Sequence, residues 1–270
     1  MKTLKNYTLL FDNACPMCSA YSKAFVKTKI LDEKGREAYQ QMSAKLAAQI
    51  DADRARNEIA LVNNTTGEVV YGIDSIFKLL ATAFPIFAPL FNFKPFHWLM
   101  KKVYSFIAYN RKVIIPGNNK MDTCVPDVNL KYRWTYIIFT WLCTSLALTH
   151  YSYHLIGLLP PSRFFREFVI CGGQIVFQSG VIYLLAKNKI LDYLGNMMTI
   201  SFAGAILLSL FLLVGKIIGI HNPYIYAGYF MFIVCLMLLE HFRRVKLLEI
   251  HWSASAGWVI YRLLVLWIIL

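Results

Sequence analysis

The stretch Phe11-Asp12-Asn13-Ala14-Cys15-Pro16-Met17-Cys18 decides how the first half of the chain is read. It follows a short apolar run, Tyr7-Thr8-Leu9-Leu10-Phe11, of the length and content of a buried strand. It precedes Ser19 to Ile30, predicted to be helical, with apolar positions at Ala20, Ala24, Phe25 and Ile30. The spacing carries chemistry. Cys15 falls at the helix N-terminus, where unpaired backbone N–H groups and the positive dipole end stabilise a thiolate. Cys18, one turn on, lies beneath it and can attack a mixed disulfide. Pro16 suits the first helical position, since it has no N–H to leave unsatisfied. Asp12, at the strand end, reads either as a proton acceptor for Cys18 or as a cap for the helix.

Outward from this motif the pattern is that of a small mixed domain. Asp32 to Asp53 is polar and partly helical, with room for a short strand within Glu37 to Met42. Glu58 to Val62 reads as a strand, and Asn63-Asn64-Thr65-Thr66-Gly67 turns it into Glu68-Val69-Val70-Tyr71 as a hairpin. Gly72 and Asp74 open a helix that runs to Ala83. A strand, a turn bearing C-x-x-C, a helix, then a hairpin and a helix is the thioredoxin-like plan.

Three segments together resemble the DCC family of thiol-disulfide oxidoreductases, named for Asp-x-x-Cys-x-x-Cys. Asp12, Cys15 and Cys18 match those three positions. Tyr71-Gly72-Ile73-Asp74-Ser75 matches the family's glycine before a helix, and Val103 to Arg111 looks like its closing helix of Tyr, Ala, Asn and Arg. Cys124-Val125-Pro126 resembles a cysteine-proline tail of many members. The match covers about residues 5–127. It departs from the family at Asn13, where a glycine is usual, and no proline precedes the Glu58–Val62 strand. The resemblance implies a thioredoxin-like domain with a dithiol/disulfide couple.

The second half is chemically different. The chain has 270 residues, 57% hydrophobic and only 16% charged, with a mean hydropathy of +0.48; a soluble domain carries about 25% charged residues. Residues 1–133 hold 19 of the 28 basic and 11 of the 15 acidic side chains, leaving 9 and 4 beyond. Domains are therefore expected at 1–127 and 128–270, the first α/β and the second all-α and transmembrane. A span needs about 20 apolar residues. Trp134 to Leu155, Phe168 to Ala186, Met197 to Ile220 and Tyr224 to Leu239 qualify, and Ser255 to Leu270 is a shorter fifth, giving four to five spans.

Lys101, Lys102, Arg111, Lys112, Lys120, Lys131 and Arg133 precede the first span; Lys187 and Lys189, then Arg243, Arg244 and Lys246, lie on the same side. The opposite side has Arg163, Arg166 and Lys216. The basic side is cytoplasmic, and the N-terminus carries no cleavable signal pattern. The expectation is an integral protein of a bacterial inner membrane with its N-terminal domain in the cytoplasm. The net charge of +13 is then topology signal, and no basic stripe marks a nucleic-acid site.

Other chemistry is thinner. Arg262 is expected within reach of Glu240, pairing there or snorkelling to fix packing. His150 and His154 are one turn apart without a second pair of ligands, and Cys143, Cys171 and Cys235 are isolated in different spans. Zinc competes for the C-x-x-C, but Cys124 and His97 lack a paired spacing. No metal or cofactor is expected. The expected function is membrane-anchored thiol-disulfide exchange, with Cys15 attacking, Cys18 resolving, and an unidentified protein thiol or disulfide as partner. The alternative is an accessory subunit of a membrane complex, its thioredoxin-like domain a docking module. The Phe- and Pro-rich stretch Phe84 to Trp98 suits contact with the bilayer or the spans, or a lid over the domain's own core.

Overall fold

The computed structural model describes residues 2–117, 128–160 and 165–270. Lys120, Cys124-Val125-Pro126 and Arg163 lie outside the described residues. The chain divides into two compact units, Met1–Tyr132 and Arg133–Leu270.

The first unit is built on four strands: β1 (Tyr7–Phe11), β2 (Arg36–Ala38), β3 (Ala60–Asn63) and β4 (Val69–Tyr71), in sheet order β2-β1-β3-β4. β2 runs parallel to β1, while β3 is antiparallel to both β1 and β4. α1 (Pro16–Lys27) is the crossover from β1 to β2; α2 (Ala44–Ala47) and α3 (Ala52–Asn57) lead into β3. α4 (Ile73–Ala83), α5 (Ala88–Asn92) and the long α6 (Lys94–Ile114) follow the hairpin. Leu9, Leu61 and Leu79 are fully buried and, with Leu31 and Ile59, form the core. β1 and β3 are the inner strands, and both are apolar: Thr8 through Phe11 and Ala60 through Val62 are buried. The predicted helix Ser19–Ile30 begins earlier, since Pro16 occupies its first turn, and ends at Lys27, just before Lys29 takes a φ of 57°. β2 begins one residue before Glu37 and stops at Ala38.

Gly72 shows why the hairpin ends where it does. Its φ of 64° and ψ of −136° lie where a side chain is strained, and its N–H donates to Ile59 O at 2.8 Å. A Cβ there would also sit 3.1 Å from Glu58 Oε2.

The second unit is helical: α7 (Leu130–Ser152, whose first turn straddles the division), α8 (Arg166–Ala186), α9 (Ile190–Ile218), α10 (Pro223–Leu247) and α11 (Ser253–Ile269). Two runs, Arg166–Ile218 and Pro223–Leu247, are long and apolar enough to cross a membrane, and α11 is apolar but shorter. α7 has the length of a span, but its threonines, serines, tyrosines and histidine leave it outside that class.

This unit buries an apolar cluster around Tyr193, Met197 and Trp258, and one helix also turns polar side chains inward. On α8 the buried residues are Glu167, Gln174, Gln178 and Ile182, whereas Val169, Val176 and Leu184 are exposed. Tyr193 Oη donates to Gln178 Oε1 at 3.1 Å and lies 2.9 Å from His241 Nε2; His241 Nδ1 lies 2.9 Å from Ser255 Oγ. One hydroxyl proton serves one acceptor, so with Tyr193 donating to Gln178 the imidazole carries its proton on Nε2 and accepts from Ser255. Arg262 departs from expectation. Glu240 is taken by Arg243 and by Arg244, each at 2.7 Å, and the Arg262 guanidinium instead lies 3.9 Å over the Trp258 ring. Helix phase explains this, because Arg243 and Arg244 sit three and four residues on from Glu240.

Candidate functional site

β1 delivers Asp12 to the edge of the core, and the chain then turns into α1. The Asp12 carbonyl accepts from Cys15 N at 3.2 Å, and Asp12 Oδ1 accepts from Ala14 N at 3.0 Å. The carboxylate therefore closes the turn rather than capping the helix. The N-cap is Cys15 itself, in extended backbone, its Sγ accepting from Cys18 N at 3.4 Å. Pro16 takes the first helical position. Both cysteines are buried free thiols among Phe11 and Ala38.

That geometry separates the two sulfurs. The Cys15 thiol is lowered from its ordinary 9.0 to about 6. A hydrogen bond from the Cys18 side chain acts first, opposed by burial, and the Cys18 N–H and the Arg111 guanidinium add to it. Cys18 moves the other way, raised by that same hydrogen bond and by burial. At neutral pH the pair holds one thiolate, on Cys15, and one proton, on Cys18.

Arg111 is the residue that sequence reasoning did not place here. It lies on α6, 99 positions from Asp12, and its Nη2 donates to Asp12 Oδ2 at 3.3 Å and to Arg56 O at 3.1 Å. Both partners of the ion pair have only 8% of their side chains exposed. Gln40 completes the shell, its Nε2 donating to Asp12 Oδ1 at 2.8 Å while its Oε1 accepts from Asn13 N at 3.2 Å. Asp12, Cys18, Tyr21, Glu58 and Arg111 line one small pocket, so the second cysteine, the carboxylate and the guanidinium share an opening. The only available signal for Arg111 was its place in the Val103–Arg111 segment; as one cation in a basic helix it reads as surface.

Gly117 bounds the site from the other side. A Cβ at this position would stand 2.5 Å from Ala14 O and 3.1 Å from Pro16 Cδ, so the backbone passes against the cysteine loop where a side chain does not fit. Tyr104, also on α6, accepts from Ile59 N through its hydroxyl at 2.9 Å and ties the helix to the sheet.

The other candidates stay apart. His97 pairs with Asp74 and belongs to the aromatic stack of Phe77. Among the described residues no three His, Cys, Asp or Glu side chains converge on a metal-sized site. His150 and His154 stack edge-on at 6.2 Å, and His154 leans on Tyr226. Cys143 and Cys171 are half-buried and Cys235 is exposed, each as a free thiol.

Residues 9–115 match the family model of the DCC1-like thiol-disulfide oxidoreductases. The resemblance carried by Asp12, Cys15, Cys18 and the two later segments therefore holds over that stretch, and Arg111 lies within it. No curated protein matches the chain, and no solved structure does.

Proposed function

We propose that this protein is a membrane-anchored thiol-disulfide oxidoreductase working through Cys15 and Cys18. The observation that carries the reading is Cys15 as the N-cap of α1, its sulfur receiving the Cys18 N–H and its thiol held near 6. The strand order and the parallel β1–β2 pair around α1 support a thioredoxin-like domain.

The chemistry follows from the two protonation states. The Cys15 thiolate attacks one sulfur of a substrate disulfide, forming a mixed disulfide and expelling the other sulfur as a thiolate. Cys18 then gives its proton to Asp12 and attacks Cys15 Sγ. The substrate's second sulfur leaves as a thiolate and the Cys15–Cys18 disulfide forms, so two electrons pass to the substrate. An external dithiol restores the pair, and in a reducing cytosol it rests reduced. Arg111 keeps positive charge beside Asp12 and both sulfurs throughout.

Anchoring rests on the two long apolar runs and on the polar interior and apolar exterior of α8. We assign four to five spans, with α7 and α11 beside α8, α9 and α10, in a bacterial inner membrane. The excess of Lys and Arg before α7 supports a cytoplasmic N-terminal unit.

The test is a redox titration of the purified protein with thiol alkylation. A reversible couple within about −200 to −300 mV is expected. Cys15→Ser is expected to lose disulfide reduction altogether, and Cys18→Ser to accumulate a mixed disulfide with its partner. Cysteines that never cycle, with a Cys15→Ser protein still assembled into a membrane complex, would instead make the domain a docking module.

A further inference from the structure

The segment from Phe84 to Ile107 exposes more apolar surface than the first unit needs to close its own core. The lid is formed by Phe77, Phe91 and Phe96, with ring centroids 4.5 to 6.5 Å apart. Outside that stack Ile86 is 82% exposed, Trp98 63%, Phe93 58% and Leu99 52%. Leu99, Val103 and Ile107 follow at i, i+4 and i+8, which is one stripe along α6, and all three are exposed. A concentration of exposed apolar side chains of this kind on a folded domain marks a contact site.

The charges beside it have one sign. Residues 84–117 contain no Asp or Glu, while Lys94, Lys101 and Lys102 are exposed. Those three lysines make no ion pair among the described residues. Exposed apolar side chains, a tryptophan and lysines of one sign on one segment are the composition of a helix lying in a bilayer interface. Lysine stems can run along apolar surface while the ammonium group stays at a polar boundary.

We propose that the segment from Pro85 through α5 and the first turns of α6 forms a foot that docks on an anionic lipid surface. Ile86, Phe93 and Leu99 enter the acyl boundary, and Lys94, Lys101 and Lys102 contact headgroup phosphates. The proposal rests on the anchored reading above, which keeps the foot at high effective concentration near the bilayer. Docking would hold the Cys15–Cys18 site at a fixed height over the membrane, where disulfides close to the bilayer are the accessible substrates.

The test uses the full chain, with a spin label on a keto amino acid introduced at Leu99, so that the native cysteines are untouched. The protein is reconstituted in vesicles of phosphatidylcholine alone or with phosphatidylglycerol, and collision with oxygen is compared with collision with a nickel chelate. In anionic vesicles the label is expected to meet oxygen and not nickel. Each lysine contributes about fivefold to such binding, so K101E/K102E or neutral lipid should release the label to nickel. A label open to nickel in both lipids overturns the foot. So does a label that meets neither reagent in either lipid, which would mean that protein covers the surface. Alkaline carbonate extraction of the same vesicles reads anchoring separately. If the chain is extracted, anchoring fails, and selective binding of the chain to anionic vesicles still decides the foot.

Discussion

Both units bury an apolar core, and they differ in the polar groups hidden with it. In the first, Leu9, Leu61 and Leu79 vanish inside, and the buried charges gather at one place, the Asp12–Arg111 pair beside Cys18. In the second, Gln174, Gln178, Asn196, His241 and Arg244 are buried, while valines and leucines of α8 and α9 face outward. A water-soluble domain stabilises itself by removing apolar area from water, so a polar group in its interior needs a reason. Where the surroundings are apolar, polar groups must instead find partners among neighbouring helices. The same class of buried hydrogen bond therefore points to chemistry in the first unit and to helix packing in the second.

The sharpest way to break this comparison is to remove one partner of the buried ion pair. Arg111→Met leaves Asp12 buried without its counter-charge, and we expect a loss of about 3–5 kcal/mol in denaturant unfolding of the first unit. Adding Asp12→Asn should recover part of that loss. Full stability in the single variant would show that the pair is not buried as described.

The exterior of the second unit gives the next largest effect. Val176 is 73% exposed in the middle of α8, and Val176→Lys should cost about 2.5–3.5 kcal/mol of membrane insertion. The exposed Thr65→Lys in the first unit should stay within about 0.5 kcal/mol. Equal, small effects on membrane yield and unfolding would end the contrast between the two surfaces.

Gly72→Ala places a side chain at a φ of 64°. About 1–3 kcal/mol of destabilisation is expected, read as a lower denaturation midpoint with an unchanged slope.

The test most specific to the site is its dependence on pH. Iodoacetamide labelling of Cys15 should rise with pH around a midpoint near 6, not near the ordinary 9.0. Arg111→Lys, which keeps the charge, should preserve that midpoint better than Arg111→Met, which should raise it. The folded value lies below the unfolded one, so the thiolate's contribution to stability is complete above pH 9. It is lost as pH falls through 6. A flat stability profile between those limits in the reduced protein, set against Cys15→Ser, would remove the assignment.

Much of the site was legible because it is contiguous. Asp12, Cys15 and Cys18 lie within seven residues, and a strand followed by a proline-started helix places them with no knowledge of the rest. The capping was not legible: both oxygens of Asp12 and the sulfur of Cys15 can accept a backbone N–H, and only the turn geometry assigns Ala14 to one and Cys18 to the other. β2 was blurred for a related reason, since Arg36-Glu37-Ala38 has no apolar alternation and is a strand only because β1 pairs with it.

Sequence alone determined the division into a charged half and an apolar half, the C-x-x-C at a helix start and the glycine at the end of the hairpin. Each depends on composition or on neighbours along the chain. Tertiary structure alone decided that Arg111 returns across 99 residues to Asp12, that Arg262 stacks on Trp258 instead of meeting Glu240, and that His241 links Tyr193 to Ser255. These contacts join helices whose relative rotation is set by packing. A rotation of one residue, about 100° of helix phase, would send the same side chain to a different partner.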